Sequence, residues 1–283
     1  MDGGGLTREW LSLLTREIFR PSYALFLPAA DGLTFQPNPT SGANPEHLEY
    51  FCFVGKVVGK AVLDGQLLDV HFTRPIYKHL LGLKVTLDDL QGSDPAMHKS
   101  LNMLLSYPLS DLGFGGGDAI VAAAAANHPL SADSTLPPPP PADDYDDGQD
   151  CLYFSADVQS FGETMVVDLV ENGRHLPVTD SNKAEYVQLV AQHRTTSAFA
   201  AQLEALLRGF HAVVPRECVA IFDPLELELL ISGLPEIDLD DLKRYTEYHG
   251  YKQSDPAIER LWRVLDKFTK EEKALFVQFT TGR

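Results

Sequence analysis

The chain of 283 residues is 44% hydrophobic and 22% charged, an ordinary composition for one large globular domain or two smaller ones. Its 40 Asp and Glu residues outnumber its 23 Lys and Arg residues, and the net charge of −17 argues against a protein that binds nucleic acid, which needs a basic surface. No apolar run approaches the roughly 18 residues of a membrane helix, the first residues lack the pattern of a signal peptide, and three scattered cysteines favour a reducing compartment, the cytosol or the nucleus.

The N-terminal part of the chain is predicted to be mainly helical. Apolar residues at helical spacing predict a first helix over 7–19, and the segment 33–41, with two prolines, is predicted to be extended and rich in turns. Asn44 followed by Pro45 is typical of a helix start with Asn44 as the N-cap, and Gly65 is placed to end that helix.

Two glycines lie inside this second helix. Gly55 and Gly59 each cost about 1 kcal/mol relative to alanine in a helix. We therefore expect a neighbouring backbone to pack closely against them. A shorter helix over 74–81, with Pro75 near its first turn, is predicted to follow.

Residues 113–150 have a different composition from the rest of the chain. They contain a Gly run, an Ala run, a Pro run and an acidic string, and no Lys or Arg occurs between Lys99 and Arg174. Such a segment buries too little apolar surface to offset the loss of chain entropy. The composition therefore predicts a disordered, low-complexity insertion.

Ordered structure is predicted to resume at Cys151. Short strands are expected over 151–154 and 164–169. Asp180 or Ser181 then caps a long helix that is predicted to run to Gly209.

Three further helices are predicted in the last quarter of the chain. Asp223, with Glu226 three residues later, predicts a reciprocally capped helix that closes at Gly233, and a short helix begins at Asp240. The segment 248–253 is predicted to be a connector. A further helix starts at Asp255 and Pro256.

The tail carries one more helix start. Thr269 and Glu272 form a predicted capping box for a final helix. The last two helices are apolar enough to need a partner surface, yet the chain stops at Arg283. Either they pack back on the preceding domain or the chain is a piece of a longer protein, and we expect the second.

The residues themselves predict no active site. Cys52 lies between two phenylalanines, Cys151 follows an acidic run and Cys218 precedes apolar residues, so none has the positive surroundings that a nucleophilic thiolate needs. The nine histidines show no HExxH motif and no pairing with cysteines, so no metal site is predicted. No glycine-rich phosphate motif opens a helix, so no cofactor is predicted either.

Several strings along the chain nevertheless resemble one family, the HECT-type ubiquitin ligases, and especially its large plant and animal members. The resemblance follows the family order across nearly the whole chain, broken only by 113–150. The strings that carry it are GLTREWLSLLTREIF, the turn NPTSG, HLEYFCFVGKVVGKAV, LLDVHFTRPIYKHLLG, LELLISGLPEIDLDDLKRYTEYHGY and FVQFTTG.

The resemblance implies a mainly helical α+β fold with two lobes. Residues 1–248 would form a large helical N-lobe, which includes a small subdomain at about 98–189 that docks a ubiquitin-conjugating enzyme. Residues 249–255 would be a hinge and residues 256–283 the truncated start of the C-lobe. In the family, a C-lobe cysteine accepts ubiquitin as a thioester and passes it to a substrate lysine.

The catalytic cysteine of the family lies in a segment that reads roughly Leu-Pro-x-x-His-Thr-Cys-x-Asn, and this chain contains no such string. The resemblance therefore implies no catalytic residue here, and the chain alone is expected to be inactive. For docking, it implies a groove lined by residues on two helices and one strand: Leu101, Leu105, Phe154, Tyr186 and Val190. The alternative interpretation is that these five residues belong to the core.

Two functions are compatible with the sequence. The first is a fragment of a ubiquitin ligase that docks a conjugating enzyme, with ubiquitin and an unidentified protein substrate as further partners. The second is a non-catalytic interaction module that binds conjugating enzymes or ubiquitin.

Overall fold

The computed structural model describes residues 5–114, 151–160, 163–233 and 238–281. The chain divides into two units, residues 1–231 and 232–283. From residue 115 on, the predicted insertion lies outside the described residues. The described part is mainly helical with two small sheets, which confirms the predicted fold class.

The first unit begins with helices and a small sheet. The elements are α1 (Gly5–Ile18), β1 (Phe26–Pro28), β2 (Thr34–Pro37), α2 (His47–Asp64), β3 (His71–Phe72), α3 (Arg74–Leu81), α4 (Leu90–Ser93) and α5 (Pro95–Ser106). After the insertion follow β4 (Ser155–Ser160), β5 (Glu163–Asp168), α6 (Lys183–Thr195), α7 (Ala200–His211), α8 (Arg216–Val219) and α9 (Pro224–Ser232).

A large core forms around the crossing of α2 and α7. A Cβ at Gly55 would overlap the carbonyl oxygen of Leu206, and one at Gly209 would overlap that of Cys52. The glycines therefore let the two backbones touch, as predicted for Gly55. Beside this crossing, β1 pairs antiparallel with β2, and β2 pairs parallel with β3.

A second, smaller core lies between α5, α6 and the segments around the β4–β5 hairpin. Its buried residues are Leu90, Leu101, Leu104, Leu109, Phe154, Val178, Tyr186, Val187, Val190 and Ala191. We call the part of the chain that builds this core the small subdomain, and the rest of the first unit the large subdomain.

The start of α2 differs from the prediction. The helix begins at His47, preceded by Glu46 in the left-handed conformation (φ 58°), so Asn44 is not its N-cap. The Asn44 side chain instead donates to the carbonyl oxygen of Tyr23 at 2.7 Å. This contact across 21 residues draws the amide away from the helix. The predicted end at Gly65 is confirmed.

The predicted strand over 151–154 is wrong. Tyr153 forms only an isolated bridge to Pro177. The pairing does not continue, because Leu176 N donates to Gly173 O and Phe154 O accepts from Leu169 N instead of from Leu176 N. The strand starts at Ser155, directly after the predicted one ends, and pairs along its whole length with β5.

The predicted long helix to Gly209 is also wrong, because it is two helices. The Thr195 hydroxyl donates back to the Ala191 carbonyl at 2.7 Å, a local bond that weakens a helix. Thr196 then leaves helical geometry (φ −147°, ψ −63°) before α7 begins at Ala200.

The second unit contains α10 (Leu239–Tyr245), α11 (Pro256–Leu265) and α12 (Lys270–Thr281). Asp238, rather than the predicted Asp240, caps α10. The predicted capping box of α12 is confirmed, because Thr269 N donates to Glu272 Oε2 at 2.9 Å and Glu272 N donates to Thr269 Oγ1 at 3.2 Å.

Candidate functional site

The five residues expected to line a docking groove converge on the small subdomain. Leu101 and Leu105 lie on α5, Tyr186 and Val190 lie on α6, and Phe154 immediately precedes β4. Four of the five belong to the buried core of the small subdomain, whereas Leu105 lies outside that core.

Exposure separates Leu105 from the other four. Leu101 and Phe154 are 2% exposed, Val190 is 4% and Tyr186 is 8%, whereas Leu105 is 40% exposed. The buried four therefore form the interior beneath any surface, and Leu105 alone among the five presents much of its side chain to solvent.

The phenol ring of Tyr186 is fixed from inside the small subdomain. It meets the ring of Phe154 edge to face, with 5.6 Å between the ring centroids. Burial, with a smaller contribution from the negative charge of Asp157, raises the pKa of the Tyr186 hydroxyl above its usual range. The hydroxyl therefore stays protonated at physiological pH.

Further apolar side chains accompany Leu105 on the last turn of α5. Met103 is 41% exposed, and Tyr107, directly after the helix, is 52% exposed. An open depression of about 300 Å³ adjoins Met103 and Tyr107, lined by His98, Lys99, Asn102, Met103, Ser106 and Tyr107. Leu105, two positions from Met103, points to a different side of α5. We call Met103, Leu105 and Tyr107, the exposed apolar residues on these two sides, the α5 patch.

Met103 and Tyr107 were not predicted as site residues from the sequence. Helical spacing could have found Met103, because Leu101 and Leu104 mark the buried side of α5 and Met103 falls on the opposite side. Tyr107 carries no such signal, since it lies beyond the end of the helix.

A polar contact ties the end of α5 to the start of α6. Lys183 Nζ donates to the Tyr107 carbonyl oxygen at 2.7 Å and to Asp180 Oδ1 at 2.8 Å, and Asp180 Oδ1 also accepts from Leu109 N. The hydrogen bond from Lys183 is the main reason that the pKa of Asp180 lies below its ordinary value. This contact holds the α5 patch beside the helix that carries Tyr186.

The cysteines occupy three different environments. Cys52 is buried, and its carbonyl contacts Gly209 at the crossing of α2 and α7. Cys151 is half-buried and Cys218 is exposed. Within the described residues no disulfide forms, and no three His, Cys, Asp or Glu side chains are grouped to hold a metal ion. None of the helices in those residues is long and apolar enough to cross a membrane.

Comparison with known proteins matches residues 12–283 to the family described as HECT-domain (ubiquitin-transferase). The chain is 45% identical over 282 residues to "E3 ubiquitin-protein ligase UPL1" of Arabidopsis thaliana, covering 100% of this chain and 7% of that protein. It is 43% identical over 282 residues to "E3 ubiquitin-protein ligase HUWE1" of Mus musculus, covering 99% of this chain and 6% of that protein. A third relative, "E3 ubiquitin-protein ligase TOM1-like" of Neurospora crassa, is 41% identical over 283 residues, which are 100% of this chain and 6% of that protein. The chain thus spans less than a tenth of the length of these three relatives.

Proposed function

Because the chain belongs to the HECT-domain (ubiquitin-transferase) family, we propose that it is the docking part of a ubiquitin-protein ligase. In the parent protein, a docked conjugating enzyme would deliver ubiquitin to a cysteine of the C-lobe, from which ubiquitin passes to a substrate lysine. The reducing environment that such a thiol needs is the cytosol or the nucleus, and the absence of disulfides in the described residues agrees with either compartment.

The proposed domain boundaries follow the two lobes of the family. Residues 1–248 would be the N-lobe, 249–255 the hinge and 256–283 the start of the C-lobe, with the small subdomain at about 98–189 as the docking part. The separate core of the small subdomain supports this division, and it begins slightly earlier, at Leu87 and Leu90.

The observation that carries the proposal is the α5 patch, on the helix that also contributes Leu101 to the buried core with Tyr186 and Phe154. Transient interfaces draw most of their affinity from a few aliphatic and aromatic side chains surrounded by polar ones. Leu105 supplies an aliphatic surface on one side of α5. On the side that faces the depression, Met103 and Tyr107 supply an aliphatic and an aromatic surface, which Lys99 and Ser106 border. The packing of the buried residues would keep the exposed residues of α5 in a fixed position.

Leucine-to-alanine substitutions at two exposed positions test the proposal. Leu105→Ala should weaken binding of a ubiquitin-loaded conjugating enzyme by about 1–2 kcal/mol, roughly a five- to thirtyfold rise in Kd. Leu63→Ala is the matched control, because Leu63 is exposed on α2 of the large subdomain. Binding of both variants is measured by surface kinetics. Wild-type affinity in Leu105→Ala, or equal weakening in both variants, would contradict the proposal.

Tyr186 has two possible contributions that can be separated. If Tyr186 is a docking anchor, Tyr186→Ala should weaken binding by about 2 kcal/mol without a matching loss of stability. If its ring belongs to the core, the same substitution should lower the free energy of unfolding by several kcal/mol. Measuring both the Kd and the urea midpoint of Tyr186→Ala distinguishes these roles, and the burial of Tyr186 favours the second.

The alternative function is a non-catalytic interaction module, and the burial of Cys52 at the α2–α7 crossing is compatible with both functions. With activating enzyme, conjugating enzyme and ubiquitin, this chain alone should form no adduct that a thiol reductant removes. An adduct lost on Cys218→Ser would show that the exposed Cys218 is an acceptor. A thioester formed by the parent protein, but not by this chain, favours the ligase over the module.

A further inference from the structure

The small subdomain is inserted into the large one, so the chain crosses between the two cores twice. The large core takes residues up to Leu81, the small core takes residues from Leu87 to Ala191, and the large core resumes at Ala198 and Phe199. We call the connection between Leu81 and Leu87 the first crossing and the connection between Ala191 and Ala198 the second crossing. The orientation of the small subdomain therefore depends on the contacts that hold these two connections in place.

The first crossing is held by a buried carboxylate. Lys78 Nζ, on the last turn of α3, donates to Asp89 Oδ2 at 2.6 Å. The Asp89 side chain is 2% exposed, and it also accepts from the Thr86 amide at 2.8 Å and hydroxyl at 3.1 Å. Arg74, on the first turn of α3, lies 3.5 Å from the other carboxylate oxygen.

The second crossing is held by the next residue of the same helix. His79 Nε2 lies 3.0 Å from the hydroxyl oxygen of Thr196, and the ring also hydrogen-bonds the backbone of Thr195. These threonines form the break between α6 and α7, so His79 contacts the point at which the chain returns to the large core.

Helix α3 is itself fixed to the large subdomain. Ile76, Tyr77 and Leu80 are buried in the large core, and the Tyr77 hydroxyl accepts from Phe72 N at 3.0 Å. One backbone bond between the subdomains lies elsewhere, from Ala30 N to Ser93 O at 3.0 Å. A rigid helix thus presents two consecutive side chains, one to each crossing.

We propose that Lys78 and His79 are positioning residues that together hold the small subdomain in one orientation on the large subdomain. The functional meaning rests on the proposed docking function, because the same contacts would then set the direction in which a docked conjugating enzyme faces the rest of the ligase. Neither residue lies on the α5 patch.

The distance between two spin labels tests the proposal without any conjugating enzyme. The native Cys218 is exposed on the large subdomain, and Ser110→Cys gives an exposed site on the small one, in a Cys151→Ser background. Pulsed electron–electron double resonance then measures the width of the distribution of distances between the labels at positions 110 and 218.

The variants remove one crossing contact or both. Lys78→Met with Asp89→Asn removes the first without leaving a buried charge unpaired, and His79→Leu removes the second. The same Met and Asn changes at Lys60 and Asp64, an ion pair within α2, provide the matched control. Lys78→Arg tests whether a conservative change keeps the contact.

The combined variant carries Lys78→Met, Asp89→Asn and His79→Leu. It should widen the distance distribution by more than the sum of the increases seen when each contact is removed alone, because a single remaining contact still holds one crossing. The control pair and Lys78→Arg should match the wild type. An unchanged width in the folded combined variant would overturn the proposal. Should that variant lose its cooperative unfolding, a second variant that combines Lys78→Met and Asp89→Asn with Thr196→Val replaces it, because it also removes both contacts. Its distance distribution must then be wider than that of the Lys78→Met, Asp89→Asn pair alone, and equal widths would equally overturn the proposal.

Conjugating-enzyme binding separates this proposal from the docking function. The combined variant should bind within about twofold of the wild type, since the α5 patch is untouched. Absence of binding by the wild type would contradict the docking function alone and would leave the distance result valid.

Discussion

Single residues decide how closely the two central helices of the large subdomain approach. A Cβ on Gly55 would overlap the Leu206 carbonyl oxygen and lie 2.7 Å from Phe210 N, both on the backbone of α7. Backbone atoms cannot swing aside as a flexible side chain can, so an added methyl group must push the helices apart.

Gly55→Ala should therefore lower the free energy of unfolding by about 1–3 kcal/mol, despite the better helix propensity of alanine. Gly92→Ala is the control, because a Cβ there has no atom within 4 Å. It should be neutral or slightly stabilising. Urea unfolding of both variants provides the measurement, and equal stability of the two would refute the close-approach argument.

The carboxylate of Asp89 makes stability depend on pH. Burial by itself raises its pKa, but hydrogen bonds from Lys78 and Thr86, with the charge of Lys78, hold the pKa below the ordinary value of 3.8. Because the folded-state pKa is the lower one, the stabilisation is complete above the unfolded value and is lost as the pH falls through the folded value.

The difference in unfolding free energy between wild type and Asp89→Asn should thus be largest near neutral pH and shrink as the pH falls below about 3.8. Urea unfolding at several pH values checks this. Asp88→Asn, at a mostly exposed neighbouring carboxylate, should change the unfolding free energy by less than about 0.5 kcal/mol. A difference that is independent of pH would contradict the interpretation.

At the scale of elements, α5 depends on its first turn. Asp94 accepts a hydrogen bond from Met97 N at 3.0 Å, which satisfies one of the amides left open at the helix start. Asp94→Ala should cost about 0.5–2 kcal/mol, whereas Asp94→Ser should retain most of the cap. If urea unfolding shows the two variants equally destabilised, capping is not the role of Asp94.

Two caps formed within four residues could be predicted from the sequence, whereas the equally local cap of Asp238 was placed at Asp240. Asp223 with Glu226, and Thr269 with Glu272, both form the expected reciprocal bonds, because every partner is local. Asn44 was mispredicted because its side chain bonds a residue 21 positions away. A hydrogen bond to a residue far away in the chain cannot be predicted from the local sequence pattern.

The candidate site was predictable only in part. The strings that resemble the family led to five residues that do meet in one subdomain. Their exposure could not be predicted, since it depends on the rotation of α5 and on the contact between Phe154 and Tyr186, which are far apart in the chain. Leu101 and Leu105 look alike in sequence, yet one is buried and the other is not.

At the scale of the whole molecule, the buried residues that the structure describes in the two cores of the first unit all lie at or before Ile231. Residues 1–233 alone should therefore keep the cooperative urea unfolding of this unit. Residues 1–199 should not fold, because α7 supplies Leu203, Leu206 and Phe210 to the large core. Loss of cooperative unfolding in the longer fragment would show that the second unit is needed.

The inserted topology also has a consequence for synthesis. Helix α2 ends at Asp64 but its main partner α7 starts at Ala200, so at about 5–20 residues per second α2 leaves the ribosome roughly 7–30 seconds before α7 exists. During that interval residues such as Phe26 can cover part of its apolar surface, but the part that α7 covers has no partner in its own chain. A nascent chain stalled before Ala200 should consequently be a preferred client of chaperones, and one stalled after the whole first unit has emerged should not.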